Sequence, residues 1–393
     1  MNSFLKGCDN FFIKYSSILF YFLLFAIPLK LSISYLFLFP LILTGIVYFF
    51  HSPGLKQFYL SNKVISQIWL AFLAALILSG SFGVNPVRSV LSTLELCFYS
   101  LCIPIFYLII KKENDYKFLI FLIVAQAIAG GYSFLEFLNP EKFTRLFVGT
   151  VSESGQITLT LTLSLGVAYA FLLEKQKKLF MISLFSILLI TFALLVNLKR
   201  GPWAGVFVGS LCFFLIFKPR LLAVFIPMIV LPISFWEPLR DRVANIPGHF
   251  FIPGGRSDIW DLGMELAYRY PLGIGFDNSP VINEFSKIIP DNLTHFHNNY
   301  LNIWVESGMI GLILFSCFWI SLFALGMKIR KLCINSKLKN KECLVFFSAL
   351  CALLAWLVAG VVEYNFGDSE VMLLVYLTIA IVLVEKSRLI SRS

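Results

Sequence analysis

Apolar runs of membrane-spanning length alternate with short polar breaks along most of this chain. A helix that crosses a bilayer needs about 20 mostly apolar residues. By that measure twelve segments read as spans: 15–30, 33–50, 64–82, 91–110, 118–138, 157–174, 179–197, 203–217, 221–235, 299–325, 343–361 and 371–385. Only Lys218-Pro219-Arg220 separates the eighth from the ninth. The rhythm is interrupted once, by a polar, loop-like stretch over residues 236–298. Within it, Pro253-Gly254-Gly255-Arg256-Ser257-Asp258 reads as a turn into a helix, with Ser257 or Asp258 as the N-cap. That helix should run to about Tyr270 and end at Pro271-Leu272-Gly273-Ile274-Gly275. Its Ile259, Trp260, Met264 and Ala267 suit a helix lying on a membrane face or on the bundle. The pattern predicts an all-α polytopic membrane protein of about 12 transmembrane helices, with one large outer loop containing short helices. Its parts are helices one to nine (1–235), the loop (236–298) and the last three helices with a tail (299–393).

Composition agrees. Apolar residues make up 59% of the chain and charged ones 14%, against about 25% charged in a soluble domain. A net charge of +10 would suit nucleic acid, but the cations are split among short inter-helix loops, so no nucleic-acid partner is expected. Of the 32 Lys and Arg residues, 21 fall on one side of the twelve-span arrangement and 11 on the other. The positive-inside rule then puts both termini in the cytoplasm, and the long loop, Arg200 and His297 outside. Lys6 and Lys14 precede the first apolar run with no small-residue cleavage site after it, which reads as an uncleaved first helix. The eight cysteines lie in apolar runs or basic loops, with no CxxC pair, so neither a disulfide framework nor a cysteine zinc site is expected. There is no Walker-type phosphate loop and no dinucleotide fingerprint, hence no cofactor expectation.

Candidate chemistry gathers where the outer loop re-enters the membrane, at Thr294-His295-Phe296-His297-Asn298-Asn299-Tyr300. A histidine there can take a proton from a water-side substrate while a lipid-borne one lies beside it. At about 100° per residue His297 shares one helical face with Gly308 and Gly311, and glycines on a face admit close neighbours. Asn298, Asn302 and Glu306 would form a second stripe, and an acid within an apolar helix usually faces the bundle interior. The plainer alternative is a histidine and amides in the headgroup zone beside a glycine packing seam. Arg200 sits in the outer turn Leu198-Lys199-Arg200-Gly201-Pro202-Trp203, where the charge rule disfavours a cation, so it invites an anionic partner unless it is merely solvated. Arg256 precedes a helix N-terminus, a place that favours anions, and its planar fork matches phosphate oxygens; the alternative is an ordinary surface arginine. The loop as a whole is acidic, with eight Asp and Glu against five Lys and Arg, so only local arginine placement serves an anion. His295, His297 and His249 are enough imidazoles for a metal, but the spacing is not a metal signature and none is expected.

His297-Asn298 followed by Gly308-Met309-Ile310-Gly311 is similar to the signature of the O-antigen ligase family. Arg200-Gly201-Pro202-Trp203 resembles that family's arginine–glycine turn. Gly255-Arg256-Ser257-Asp258-Ile259-Trp260, with Pro271-Leu272-Gly273-Ile274-Gly275-Phe276 after it, resembles its loop arginine segment. The resemblance implies a GT-C-type glycosyltransferase of the bacterial inner membrane, using neither metal nor nucleotide. Such enzymes move a glycan from undecaprenyl pyrophosphate to a sugar of lipid A–core on the periplasmic side. It implies His297 as catalytic histidine and Arg200 and Arg256 as holders of the pyrophosphate; Asn298, His295 and Glu306 are the candidate supporting residues read from their positions beside His297. Leu312 and Ile313 stand where ligases often carry two threonines, which keeps an O-antigen polymerase, working on the same donor, as the nearest alternative. A lipid-linked glycan flippase is the second; transporters place ionisable groups near the bilayer midplane, whereas here they gather at the outer boundary.

Overall fold

A computed structural model describes residues 2–113, 115–139, 154–245, 250–252, 254–285, 294–335 and 341–391. In chain order its helices are α1 (Asn2–Ala26), α2 (Leu31–His51), α3 (Gly54–Ser61), α4 (Lys63–Phe82), α5 (Pro86–Ser100), α6 (Cys102–Lys112), α7 (Lys117–Leu138), α8 (Ser154–Leu173), α9 (Lys177–Val196), α10 (Arg200–Phe217), α11 (Leu222–Phe235), α12 (Glu237–Ala244), α13 (Arg256–Arg269), α14 (Asn299–Asn335), α15 (Lys341–Ala359) and α16 (Ser369–Ser391). Among the described residues there is no strand. Every apolar segment expected to span is helical. The protein is an all-α polytopic membrane protein.

Nine stretches of the described residues are long and apolar enough to cross a bilayer. Three of the twelve expected spans are not among them. In α1 the apolar stretch among the described side chains is Phe11–Ala26. With 14 residues, α11 reaches only about 21 Å at 1.5 Å per residue, less than the ~30 Å hydrocarbon core. In α16 Glu385, Lys386 and Arg388 sit within the last turns. The expected span 91–110 is two helices meeting at Leu101, which together form one crossing, Pro86–Lys112.

The centre of the bundle is α8, α15 and α16, whose residues are buried almost throughout. Around them, α2, α4 and α9 turn large apolar side chains outward, among them Leu36, Phe50, Phe82 and Phe185, as lipid-facing helices do. The loops that the charge count assigns to one face meet at one end of the bundle. There Lys341 pairs with Glu174 at 2.5 Å, Lys386 donates to Asn62 Oδ1 at 2.9 Å, and Arg388 binds Glu385 at 2.6 Å and the carbonyls of Ile110 and Glu113. At the same end a disulfide joins Cys333 to Cys343. Periodicity gives no sign of that pair, because the two cysteines come together only when α14 and α15 fold back on each other.

Candidate functional site

At the opposite end, Arg200 is placed by a ladder of small residues. Gly201, Gly205 and Gly209 recur every fourth residue along α10, and each lies so close to α15 that a Cβ would run into it. Gly205 faces the Ala355 carbonyl, Gly209 the Cys351 carbonyl, and Gly201 the side chains of Val362 and Glu363. Small-residue seams of this kind let membrane helices approach backbone to backbone. The first residue of α10 is thereby fixed beside the turn that follows α15. Arg200 Nη2 donates to the Asn245 carbonyl at 3.2 Å, tying α10 to the end of α12.

Arg256 opens α13, as expected, but the N-cap is Gly255 rather than Ser257 or Asp258. The Asp258 carboxylate instead reaches back to the Gly254 N–H at 2.7 Å, and so stabilises the turn that delivers Arg256. The Arg256 guanidinium lies 3.9 Å from the Glu363 carboxylate, both only partly exposed.

His297 is not part of a helix. It has φ of +50° in an extended strap that ends at α14. Left-handed backbone is costly for a side-chain-bearing residue, and it persists here because both flanks are pinned. Phe296, fully buried, donates its N–H to Asn302 Oδ1 at 3.2 Å and accepts from Trp260 Nε1 at 3.0 Å. Asn298 caps α14 by accepting from the N–H groups of Tyr300 and Leu301, at 2.9 and 3.0 Å. Asn299 clamps the strap to the α15–α16 turn. Its N–H donates to the Gly360 carbonyl at 2.8 Å, and its side chain bonds Asn365 and the N–H groups of Asn365 and Phe366.

The His295 and His297 rings stand perpendicular, centroids 4.3 Å apart, and Tyr364 lies 5.2 Å from His295. The His297 N–H donates to His295 Nδ1 at 3.2 Å, which leaves a neutral His295 with its proton on Nε2. Burial above all, then the charges of His295, Arg256 and Lys199, pulls the His297 imidazole down to about 4 from 6.5. His295 is lowered too, by burial and by Lys199. Burial raises the Glu363 carboxyl, against the lowering pull of Lys199 and Arg256. Lys199, His295, His297, Arg256 and Glu363 thus belong to one electrostatic cluster.

The glycines after the strap have a different job from a helical face. With α14 starting at Asn299, His297 lies outside the helix, and Gly308 breaks α14 with φ +67° and ψ −176°, so no helical phase connects them. The break admits the loop after α13. A Cβ on Gly308 would strike the Pro271 carbonyl, and one on Gly273 the Glu306 carbonyl. The carbonyls freed by the break are satisfied from that loop and from α4: Ile274 N–H donates to Val305 O at 2.8 Å, Gly275 N–H to Glu306 O at 3.0 Å, and Ser79 Oγ to Glu306 O at 2.6 Å. Asn302 and Glu306 do share a face, both buried, and Ser279 bridges them at 3.2 and 2.5 Å. Glu306 therefore faces the protein interior behind the strap, not the cation cluster.

Of the residues singled out from sequence, His295, His297 and Arg256 come together, Asn298 caps the helix behind them, and Arg200 stands at the edge through the contact of Gly201 with Glu363. Two members were missed, Lys199 and Glu363. The available signal for Glu363 was an acid in the short turn 360–368, at the end of the bundle where Lys199, Arg200 and Arg256 need a counter-charge. His249 lies outside the described residues; among those described, no three His, Cys, Asp or Glu side chains converge as metal ligands.

No curated protein matches the chain. Residues 185–316, from the body of α9 through the broken part of α14, match the family model described as O-antigen ligase. That segment holds Arg200, Arg256, His297 and Gly308 together, and over it the chain is similar to the O-antigen ligase family.

Proposed function

We propose that the protein is an O-antigen ligase that transfers a glycan from undecaprenyl pyrophosphate to a sugar hydroxyl of lipid A–core, at the periplasmic face of the bacterial inner membrane. The observation that carries this reading is a neutral imidazole, held in a pinned left-handed strap, next to cations grouped at two helix N-termini. The first is a base for an alcohol. The second is a seat for a diphosphate, since arginine forks and helix N-termini both favour phosphate oxygens.

In this mechanism His297 takes the proton of the acceptor hydroxyl as its oxygen bonds to the anomeric carbon of the donor. The bond from that carbon to the pyrophosphate oxygen breaks, and the electron pair leaves with undecaprenyl pyrophosphate. Arg256 and Arg200, with Lys199 beside them, offset the charge growing on the departing group. A single displacement inverts the anomeric centre. A bound diphosphate neutralises Arg256 and Lys199, two of the charges that lower His297, and so raises its basicity when a donor is present. None of these roles requires a metal.

The polymerase alternative shares this donor chemistry, and Leu312-Ile313 is the feature that favours it; the single long outer loop, 236–298, favours the ligase. Deletion and complementation separate them. A ligase null yields bare core with long lipid-linked polymer accumulating, whereas a polymerase null yields single-repeat caps. We expect His297→Ala to insert normally and to lose about 10²–10⁴-fold in transfer, the usual contribution of a general base. Normal capping of lipopolysaccharide in a strain carrying only that variant would refute the role.

A further inference from the structure

Resting on that reading, we infer that Glu363 is a resident stand-in for the donor's diphosphate: its carboxylate faces the cations of the seat, and the diphosphate displaces it when the donor binds. Glu363 lies outside the segment that carries the family match, on the turn between α15 and α16, yet it is the anion at the centre of the seat. Arg256, at the start of α13, is 3.9 Å away. Gly201, at the start of α10, touches its Cγ so closely that a Cβ there would come within 2.8 Å. Lys199 acts on it electrostatically. Two helix N-termini and their cations therefore converge on one carboxylate.

The geometry suits exchange rather than a permanent pair. A committed arginine–carboxylate bond closes to about 2.7–2.9 Å, often through both guanidinium nitrogens. Here contact is through one nitrogen at 3.9 Å, and phosphate oxygens that engage the whole fork outcompete it. The backbone on either side of Glu363 is held by Asn299 through Gly360, Asn365 and Phe366. Release therefore needs only a side-chain rotation, with no movement of the turn or of the His297 strap. While the seat is empty, the carboxylate offsets the cost of gathering like charges in a half-buried site. Part of the donor's binding energy is spent in removing it.

Binding of undecaprenyl pyrophosphate to the full-length protein in nanodiscs tests this, with undecaprenol as the uncharged control. Glu363→Gln should bind the pyrophosphate about two- to fivefold more tightly, the scale of one partly screened ion pair, with undecaprenol unchanged. Glu363→Ala should tighten in the same direction. The gain should vanish in Glu363→Gln/Arg256→Gln, where the contested partner is gone. A merely structural role for Glu363 would weaken binding or leave it unaltered. Equal or weaker binding by both single variants, with Arg256→Gln weakening the wild type, would overturn the stand-in and leave the donor reading intact. A wild type that does not prefer the pyrophosphate to undecaprenol would overturn both.

Discussion

The two pH profiles of the transfer reaction should differ, and His297 sets by how much. The perturbation is occupation of the cation seat by the donor. Burial, His295, Arg256 and Lys199 hold His297 at about 4, against 6.5 for an ordinary imidazole. The acid limb of kcat/KM reports the free enzyme and should fall near 4, while that of kcat reports the donor-bound complex. A diphosphate esterified at both ends stays anionic across this window, so it cancels the Arg256 and Lys199 contributions without titrating. Burial, the largest cause, remains. The kcat limb should therefore lie above the kcat/KM limb but below 6.5. The sign is fixed by the need for neutral imidazole: activity is present above the folded pKa and lost as pH falls through it. Arg256→Gln should move the kcat/KM limb upward and leave the kcat limb almost in place. Glu363→Gln should preserve both limbs, which excludes that carboxyl as their source. The assay is initial-rate transfer from a defined undecaprenyl-pyrophosphate glycan to lipid A–core, from pH 3.5 upward. A kcat/KM limb at or above 6.5, or coincident limbs unmoved by Arg256→Gln, would refute the assignment of the base and its coupling to the seat.

Arg256→Lys should rescue little of what Arg256→Ala loses in donor affinity, because an ammonium keeps the charge and not the planar fork; equal affinities of the lysine variant and the wild type would count against a phosphate contact there. Gly308→Ala should lower the melting temperature by several degrees. It places a side chain in a positive-φ, extended backbone region that is essentially glycine-only, at about 1–3 kcal/mol, and drives a methyl into the Pro271 carbonyl; unchanged melting would mean that the break in α14 is not required.

Most of the scaffold is legible because bilayer physics leaves little choice. An apolar run of spanning length must satisfy its backbone internally, so it is a helix wherever its neighbours lie. What local pattern cannot carry is an event decided by a distant partner. The break at Gly308 lies inside an unbroken apolar helical period, and it exists because the loop 271–275 needs backbone groups there. The Cys333–Cys343 bond is of the same kind.

The site divides along the same line. His297, Arg256 and Arg200 stand out in sequence because each is a polar group at the mouth of an apolar run, a local property. Glu363 and Lys199 are polar groups at such mouths as well, yet nothing in their immediate neighbours marks them, since each matters only through what α10, α13 and α15 bring beside it. A requirement of physics would have found the acid. Lys199, Arg200 and Arg256 gather at one end of the bundle, and half-buried like charges do not stay close without an anion among them. Either a ligand supplies that anion permanently or the chain does. The short turns on that side offer few acids, and the turn after α15 contributes Glu363 to the cluster. An enzyme that must release one diphosphate lipid and accept the next has reason to carry its own exchangeable counter-charge, because a seat left bare between turnovers would hold its product too tightly to let it go.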